Sequence, residues 1–180
     1  MKTKKEQFVQ HLSHDIYDEE EADLYLDKCL PLIGYITMWF NGLEQSLDSV
    51  ICQIFTDRTD STGLIVLHKM TYSAKVDLFK RFSDDFHSCF EESIVGYDEL
   101  MKNLKESGRL RNMVVHADWE NTNEDGYTYV NLRISKGGME QEYAQFSEGS
   151  LEKIIDLIIK TRTDLYSYWE NRNDKLYNRE

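Results

Sequence analysis

Residues 36–54 read ITMWFNGLEQSLDSVICQI, and this stretch decides the fold class. Its apolar positions recur at intervals of four and three residues: Ile36, Phe40, Leu43, Leu47, Val50 and Ile54. Apolar residues at this spacing lie on one face of an α-helix. We therefore predict a long amphipathic helix that ends near Phe55. Pro31, five residues earlier, marks a place where this helix begins or bends.

Three further stretches have helical spacing of their apolar residues: residues 64–87, residues 93–116 and the segment that follows Ser147. The first of them is predicted in two pieces, with Thr71 or Ser73 as the cap of the second piece. The chain has 180 residues and only one proline, which favours long helices in a single domain over residues 1–180.

The periodicity changes to two within residues 127–146, where Val130, Leu132 and Ile134 alternate with polar residues before a Lys-Gly-Gly turn. This pattern predicts a β-hairpin. The complete pattern predicts a mainly α protein, an antiparallel four-helix bundle with a β-hairpin inserted before the last helix. Residues 1–18 are predicted to be a lead-in, and residues 171–180 a polar tail that frays.

The charge balance is 21 Lys and Arg against 33 Asp and Glu, a net charge of −12. This excludes a generally basic nucleic-acid or membrane-binding protein. Seven acids and no base lie between Asp15 and Asp27. They form either a solvated helix start, where acids suit the positive end of the helix dipole, or an acidic docking surface.

We expect a cytoplasmic protein without a membrane span. The most apolar stretch, Cys29 to Leu43, is shorter than the roughly 20 residues that a span needs. The three cysteines have no CxxC spacing, and we predict that they are small core residues in a reducing compartment: Cys29, Cys52 and Cys89. His11, His14 and Asp15 form only a crude ligand set, so we assign no metal site and no other cofactor.

The segment from Met101 to Ala117 has four bases and one acid, the reverse of the chain as a whole. On an ideal helix three of the bases share a face with Asn112 and His116: Lys102, Lys105 and Arg109. This face is either the solvent side of an amphipathic helix or a surface that attracts a phosphate backbone. The three bases are our candidate substrate-binding residues.

Arg111 falls in the apolar sector of the same ideal helix, where a charge has to be paired or has to line a cavity. Gly108, one turn earlier, leaves room beside it. Glu44 interrupts the apolar stretch 36–54 and is its candidate partner. Two interpretations stay open, a buried structural salt bridge and a cleft-lining arginine that Glu44 orients. Lys75 is a second base beside an apolar stripe, and we expect it to pair with an acid.

Residues 109–119 read RLRNMVVHADW. An arginine followed at once by a polar residue, and by a histidine after four to six intervening residues, resembles the signature of the HEPN superfamily. Here these residues are Arg111, Asn112 and His116, near the end of the third predicted bundle helix. The acid Glu44 inside a long early helix is also similar to the family layout, and the resemblance in architecture covers about residues 20–170.

The resemblance implies a helical bundle that dimerises, with the arginine and histidine of two subunits in a cleft at the dimer interface. Catalytic members are metal-independent endoribonucleases, many of them in toxin–antitoxin or other defence systems. Other members have lost catalysis and bind a protein partner or a nucleotide. RNA and an antitoxin are therefore the partners that this family suggests.

The residue types suit RNA cleavage. A histidine that titrates near neutrality can remove the 2′-OH proton or protonate the leaving 5′-oxygen, which makes His116 the candidate general acid or base. Arg111 can stabilise the negative charge of the transition state, supported by Asn112 and Glu44. Arg111 and His116 lie about 140° apart on an ideal helix, so a site shared across a two-fold axis, or a helix end unwound near His116, would bring them together.

Four acids follow the signature and would repel a phosphate backbone: Asp118, Glu120, Glu124 and Asp125. Two alternatives to an endoribonuclease therefore stay open. One is a non-catalytic HEPN-like dimeric module that binds a protein partner or a nucleotide. The other is a helical structural domain in which Arg111 and Glu44 form only a buried salt bridge.

Overall fold

The computed structural model describes residues 1–12, 16–56 and 60–177. It is mainly helical with a small antiparallel sheet, which confirms the mainly α class. The helices are α1 (Glu19–Phe55), α2 (Ser61–Leu67), α3 (Tyr72–Phe90), α4 (Tyr97–Val115) and α5 (Glu148–Tyr177). The strands are β1 (Lys2–Gln7), β2 (Asp118–Thr122), β3 (Tyr127–Ser135) and β4 (Gly138–Gln145). No helix in the described ranges combines the length and the apolar character that crossing a membrane requires.

The chain divides into two compact units. The first unit consists of residues 1–37 and 110–155 and contains all four strands. The second consists of residues 38–109 and 156–180. Each of the helices α1, α4 and α5 has one part in the first unit and the other part in the second unit. The single domain expected from the chain length stays a prediction.

The sheet of the first unit has the order β1-β4-β3-β2, with all neighbours antiparallel. The prediction of a lead-in over residues 1–18 is wrong for residues 2–7, which form β1 and pair with β4 from Lys2–Gln145 to Gln7–Glu140. The stretch KTKKEQ has no apolar alternation, so its pattern does not indicate a strand. The Lys4 ammonium group lies 4.8 Å from the ring centre of Tyr127, and this cation–π contact helps to hold β1 on the sheet. The three lysines of β1 also suit an edge strand, because their charges oppose pairing with a further strand.

Strands β3 and β4 are antiparallel neighbours within this sheet, connected by residues 136 and 137. Their register shifts between Tyr129 and Asn131, and such a bulge interrupts the alternation of inward and outward side chains. Of the three alternating apolar residues, Val130 and Leu132 are half-buried, whereas Ile134 near the end of β3 is 75% exposed.

Phe146 is the point at which the elements of the first unit meet. Its backbone N–H donates to the carbonyl of Gly126 at 3.0 Å, and its carbonyl accepts a hydrogen bond from the Tyr25 hydroxyl of α1. Its buried ring packs against Trp119 with 4.9 Å between ring centres. Burial, with the nearby Cys29 thiol as a smaller cause, raises the pKa of Tyr25 to about 12, so its hydroxyl is a donor at neutral pH.

Helix α1 begins at Glu19, directly after the cap residue Asp18, whose carboxylate accepts from the backbone N–H of Glu21 at 3.0 Å. The helix passes through Pro31 without ending there, so the expectation that a helix begins at Pro31 is wrong, whereas a bend at this residue stays a prediction. Proline removes one N–H donor, and the carbonyl that would have received it belongs to the exposed residue Asp27, where water can take its place.

The core of the second unit follows the predicted stripe of α1, since Phe40, Leu43, Leu47 and Val50 are buried. The predicted cap Thr71 is confirmed, because its hydroxyl accepts from the backbone N–H of Ala74 at 3.3 Å.

Helix α4 begins at Tyr97 rather than near residue 93, after Gly96 has taken a backbone φ of +85°. Towards its end, in the first unit, Val114 is fully buried.

Residues 171–177, predicted as part of a fraying tail, are helical and belong to α5. The guanidinium of Arg172 lies 4.8 Å from the ring centre of Phe86 and 4.7 Å from that of Trp169. These cation–π contacts hold the last turns of α5 on α3 within the second unit. Burial of Cys29 and Cys52 confirms their prediction as core residues, whereas Cys89 is exposed and its prediction is wrong.

Three expectations lie wholly or partly outside the described residues. They are the end of the polar tail at residues 178–180, the loop at residues 57–59, and the ligand set that needs His14 and Asp15.

We expect Gly126→Ala to lower the free energy of unfolding by about 3 kcal/mol. The alanine would be strained by the positive φ at this position, and its methyl group would clash with Tyr25. Gly126 has a φ of +78°, and an added Cβ would clash with the hydroxyl oxygen and the ring of Tyr25. Urea unfolding measures the loss. Gly96→Ala is the matched control, since Gly96 has a φ of +85° with nothing within 4 Å, and it should lose only about 1 kcal/mol. Equal losses in both variants would contradict the role of the Tyr25 contact.

Candidate functional site

The residues that resemble the HEPN signature, Arg111, Asn112 and His116, lie at the end of α4, within the first unit. Helix α4 ends at Val115, and His116 is the next residue. The backbone N–H of His116 still donates to the carbonyl of Asn112 at 3.0 Å, so a last helical hydrogen bond fixes where the chain leaves the helix. The His116 side chain is exposed. An exposed imidazole at a helix end can be reached by a substrate.

The side chains of Arg111 and Asn112 are joined by a hydrogen bond. Arg111 Nη1 donates to Asn112 Oδ1 at 3.0 Å, with Arg111 half-buried and Asn112 exposed. The bond orients the plane of the guanidinium, which is the group that could contact a phosphate. Asn112 thus links the two other signature residues, because its side chain contacts Arg111 and its carbonyl accepts from His116.

Trp119 fixes the direction of the chain after His116. Its indole N–H donates to the carbonyl of Val114 at 2.8 Å, and its ring packs on Phe146. The side chain is half-buried and is therefore first of all a packing residue.

The acids that follow the signature are distributed over a strand and a turn. Asp118 and Glu120 belong to β2, and Glu124 and Asp125 lie in the turn before β3. The Asp118 carboxylate accepts from the Asn121 side chain at 2.5 Å, whereas Glu120 is exposed. Asp118 is therefore occupied locally, and Glu120 contributes negative charge to the surface.

The three predicted substrate-binding bases are exposed on the part of α4 that belongs to the second unit: Lys102, Lys105 and Arg109. Arg109 donates from Nε and Nη2 to both carboxylate oxygens of Glu106, at 2.8 and 2.7 Å. This hydrogen bonding lowers the pKa of Glu106. The charge of Arg109 is thereby largely neutralised, and the basic stripe depends mainly on the two lysines.

Glu44, the predicted partner of Arg111, lies in the second unit and pairs there with Lys75. Lys75 Nζ donates to Glu44 at 2.9 Å and to Asp48 at 2.8 Å, which confirms that Lys75 pairs with an acid. Burial acts to lower the pKa of Lys75, but the hydrogen bonds to Asp48 and Glu44 outweigh it and raise the pKa. Glu44 is therefore a member of a structural ion-pair network, and its support of Arg111 stays a prediction.

The room expected beside Gly108 is filled by a tyrosine. A Cβ added at Gly108 would lie 2.7 Å from the ring of Tyr72, and the Tyr72 hydroxyl donates to the carbonyl of Leu104 at 3.0 Å. Burial raises the pKa of this tyrosine further above its usual range. Gly108 thus allows a ring to pack closely on α4 rather than leaving a cavity.

A cleft of about 230 Å³ lies between the start of α1 and β2, entirely within the first unit. Its carboxylates are Glu19 and Asp23 from α1 and Glu120 from β2, all exposed. Its apolar lining residues are Ile16, Ala22, Leu26 and Trp119, with the Thr122 side chain beside them. We name this feature the acidic cleft.

The sequence indicated only one side of the acidic cleft, the acids of α1. The acid run on α1 was recognised, but β2 was not predicted, because Asp-Trp-Glu-Asn-Thr has too few apolar residues to indicate a strand. In the sequence, Glu120 and Trp119 lie close to His116, and nothing in their spacing connects them with α1. Within the described ranges, no group of three His, Cys, Asp or Glu side chains is arranged to hold a metal ion, and this includes the carboxylates of the cleft.

We expect Lys75→Met to destabilise the protein by about 2 kcal/mol, because it leaves two half-buried carboxylates, Glu44 and Asp48, without their cation. Urea unfolding at neutral pH measures the change. Since pairing raises the pKa of Lys75 above its ordinary 10.5, the contribution is present at neutral pH and is lost only in strong alkali.

Lys80→Met is the matched control for this variant. Lys80 also pairs with an acid, Asp84, but both side chains are more than two-fifths exposed, so the loss should stay below about 1 kcal/mol. A loss as large as that of Lys75→Met would show that burial does not set the strength of these pairs.

Comparisons of the chain with protein-family models, with curated proteins and with solved structures find no match.

Proposed function

We propose that this protein is a metal-independent endoribonuclease of HEPN type, acting in the cytoplasm within a toxin or other defence system. The observation that supports the proposal best is the exposed His116 directly after α4, one turn beyond the hydrogen-bonded pair of Arg111 and Asn112. The proposal assigns the helices to an antiparallel four-helix bundle of HEPN type, with the strands β3 and β4 as its inserted hairpin.

The proposed reaction is attack of the ribose 2′-oxygen on the adjacent phosphorus. The O2′–P bond forms and the P–O5′ bond breaks, which leaves a 2′,3′-cyclic phosphate and a free 5′-OH. One base has to take the 2′-OH proton, and one acid has to protonate the 5′-oxygen. His116 performs one of these transfers, and a second copy of His116 in a dimer can perform the other.

Arg111 is the proposed stabiliser of the transition state, in which the phosphate oxygens gain negative charge. Its hydrogen bond to Asn112 limits the rotation of the guanidinium, so less conformational entropy is lost when a phosphate binds. Lys102 and Lys105, both exposed on α4, add attraction for the RNA backbone.

We expect His116→Ala to reduce cleavage of total tRNA and of a mixed mRNA pool by about 100-fold or more, with EDTA present throughout. The melting temperature should stay nearly constant, because the side chain is exposed. The products of the wild-type reaction should carry 2′,3′-cyclic phosphate ends.

His68→Ala is the matched control, since His68 is also an exposed histidine at the end of a helix. This variant should cleave as fast as the wild type. If both histidine variants keep full activity, the cleavage comes from a contaminant or from other residues, and the assignment of His116 is wrong. If the folded wild type cuts no RNA, the proposed activity is wrong.

We expect the protein to be a homodimer at micromolar concentration, with twice the 21.3 kDa mass of one chain. The reason is the angle of about 140° between Arg111 and His116 on a helix, which favours a site shared by two copies. Light scattering with size-exclusion chromatography measures the mass. A strict monomer that still cleaves RNA would contradict the shared site.

A second function, a non-catalytic HEPN-like dimeric module that binds a protein partner or a nucleotide, is favoured by the acidic cleft. Its three carboxylates repel a phosphate backbone but attract cationic groups. Among the partners of such a module, a protein such as an antitoxin suits this charge better than a nucleotide does.

A further inference from the structure

The first turns of α1 carry more negative charge than the start of a helix requires. Glu19, Glu20 and Glu21 lie in the first turn and suit the positive end of the helix dipole. Asp23 and Asp27 lie beyond that turn, where the effect of the dipole has largely fallen off. Within the described part of the chain, none of these five carboxylates belongs to an ion pair. No ion pair in this part of the chain therefore compensates the charge of Asp23 and Asp27.

An apolar stripe runs along the same helix beside these acids. Leu24 is 61% exposed and Tyr35 is 51% exposed, and Pro31 between them is also exposed. On an ideal helix the three residues lie within about 40° of one another. A stripe of large exposed apolar side chains on one helix face is a feature of binding surfaces. We name Leu24, Pro31 and Tyr35 the α1 stripe.

The acids lie between the α1 stripe and the acidic cleft. On the ideal helix, Glu20, Asp23 and Asp27 occupy the sector about 40° to 100° from Leu24. Asp23 is at the same time a lining residue of the acidic cleft. The stripe, the acids and the cleft thus form one continuous surface of the first unit, about 24 Å long from residue 19 to residue 35.

We propose that this surface binds a basic amphipathic segment of a partner protein. Apolar side chains of the segment cover the α1 stripe, its cationic side chains face the acids of α1, and one Lys or Arg side chain enters the acidic cleft. This inference does not depend on ribonuclease activity.

Charge complementarity selects this occupant. A nucleic acid or an anionic membrane would be repelled by the same carboxylates. A second copy of the chain, packed by two-fold symmetry through the same face, would bring two sets of acids together, with Lys28 as the one base on this part of α1. A basic segment meets both the charge and the apolar stripe.

The acidic cleft suits the end of a Lys or Arg side chain. Its apolar lining can cover the methylene groups, and the rim carboxylates of Glu19, Asp23 and Glu120 can accept hydrogen bonds from the cationic head. Trp119 lines the cleft and can add a cation–π contact. Because the walls are partly apolar, the negative field inside is stronger than on an open surface.

The test uses a fluorescein-labelled peptide of about 16 residues, built from Leu, Ala and Arg with the arginines on one helix face. Fluorescence anisotropy measures its binding to the full chain. The triple variant Glu19→Lys, Asp23→Lys and Glu120→Lys should weaken binding about tenfold or more. Leu24→Ser with Tyr35→Ser should weaken it about tenfold, because the apolar contact is lost.

The matched control reverses three exposed acids of the second unit, Asp77→Lys, Asp85→Lys and Glu170→Lys, with the same change in net charge. This variant should keep the affinity of the wild type within about threefold. If the reversed cleft variant does not fold, as judged by circular dichroism, the neutral variant Glu19→Gln, Asp23→Asn and Glu120→Gln replaces it.

Several results would overturn the proposal. One is absence of peptide binding by the wild type, and another is an equal loss in the cleft and control variants, which would indicate unspecific attraction. If spermine competes fully and the stripe variant binds the peptide normally, the cleft is a site for small polyamines instead. If the stripe variant turns a dimer into a monomer and leaves peptide binding unchanged, the stripe is an interface between copies. If RNA cleavage is unchanged in all of these variants, the inference still stands, because the cleavage assay tests His116 separately.

Discussion

The first unit depends on a single buried junction at Phe146. Its N–H, its carbonyl and its ring each contact a different element: the turn at Gly126, Tyr25 of α1, and Trp119 of β2. A backbone carbonyl buried at this depth needs a donor, and the Tyr25 hydroxyl supplies it. The same tyrosine fills the space that glycine leaves at position 126. The orientation of β2, and with it the exit of the chain from α4 at His116, follows from this junction.

In the second unit, the buried Lys75 and its two acids connect α3 with α1 by charge. A buried lysine remains charged only when acids compensate for the loss of water, and Glu44 and Asp48 do so from successive turns of α1. Glu44 therefore has a structural role that accounts for an acid inside an apolar stretch. On α4, Arg111 is half-buried, and its guanidinium donates a hydrogen bond to its neighbour Asn112.

The surface charges divide by sign along the sequence. The exposed lysines of α4 favour a polyanion, although Glu106 neutralises Arg109. The first turns of α1 and Glu120 favour a cation, and the apolar residues beside them favour a partner with its own apolar face. An endoribonuclease that is held by a basic protein segment would use both surfaces. A protein whose net charge is −12 needs such local differences if it is to bind RNA at all.

The sequence by itself determined the helices whose apolar residues repeat at helical spacing, the cap at Thr71 and the signature residues at the end of α4. These features depend on local periodicity and on hydrogen bonds between near neighbours, which a sequence displays directly. Only the tertiary structure decided that residues 2–7 and Asp118–Thr122 are strands, because edge strands of polar residues are stabilised by the backbone of a partner strand. The partner of Glu44 and the acidic cleft were decided in the same way. Each of them joins residues far apart in the chain, and packing rather than spacing brings such residues together.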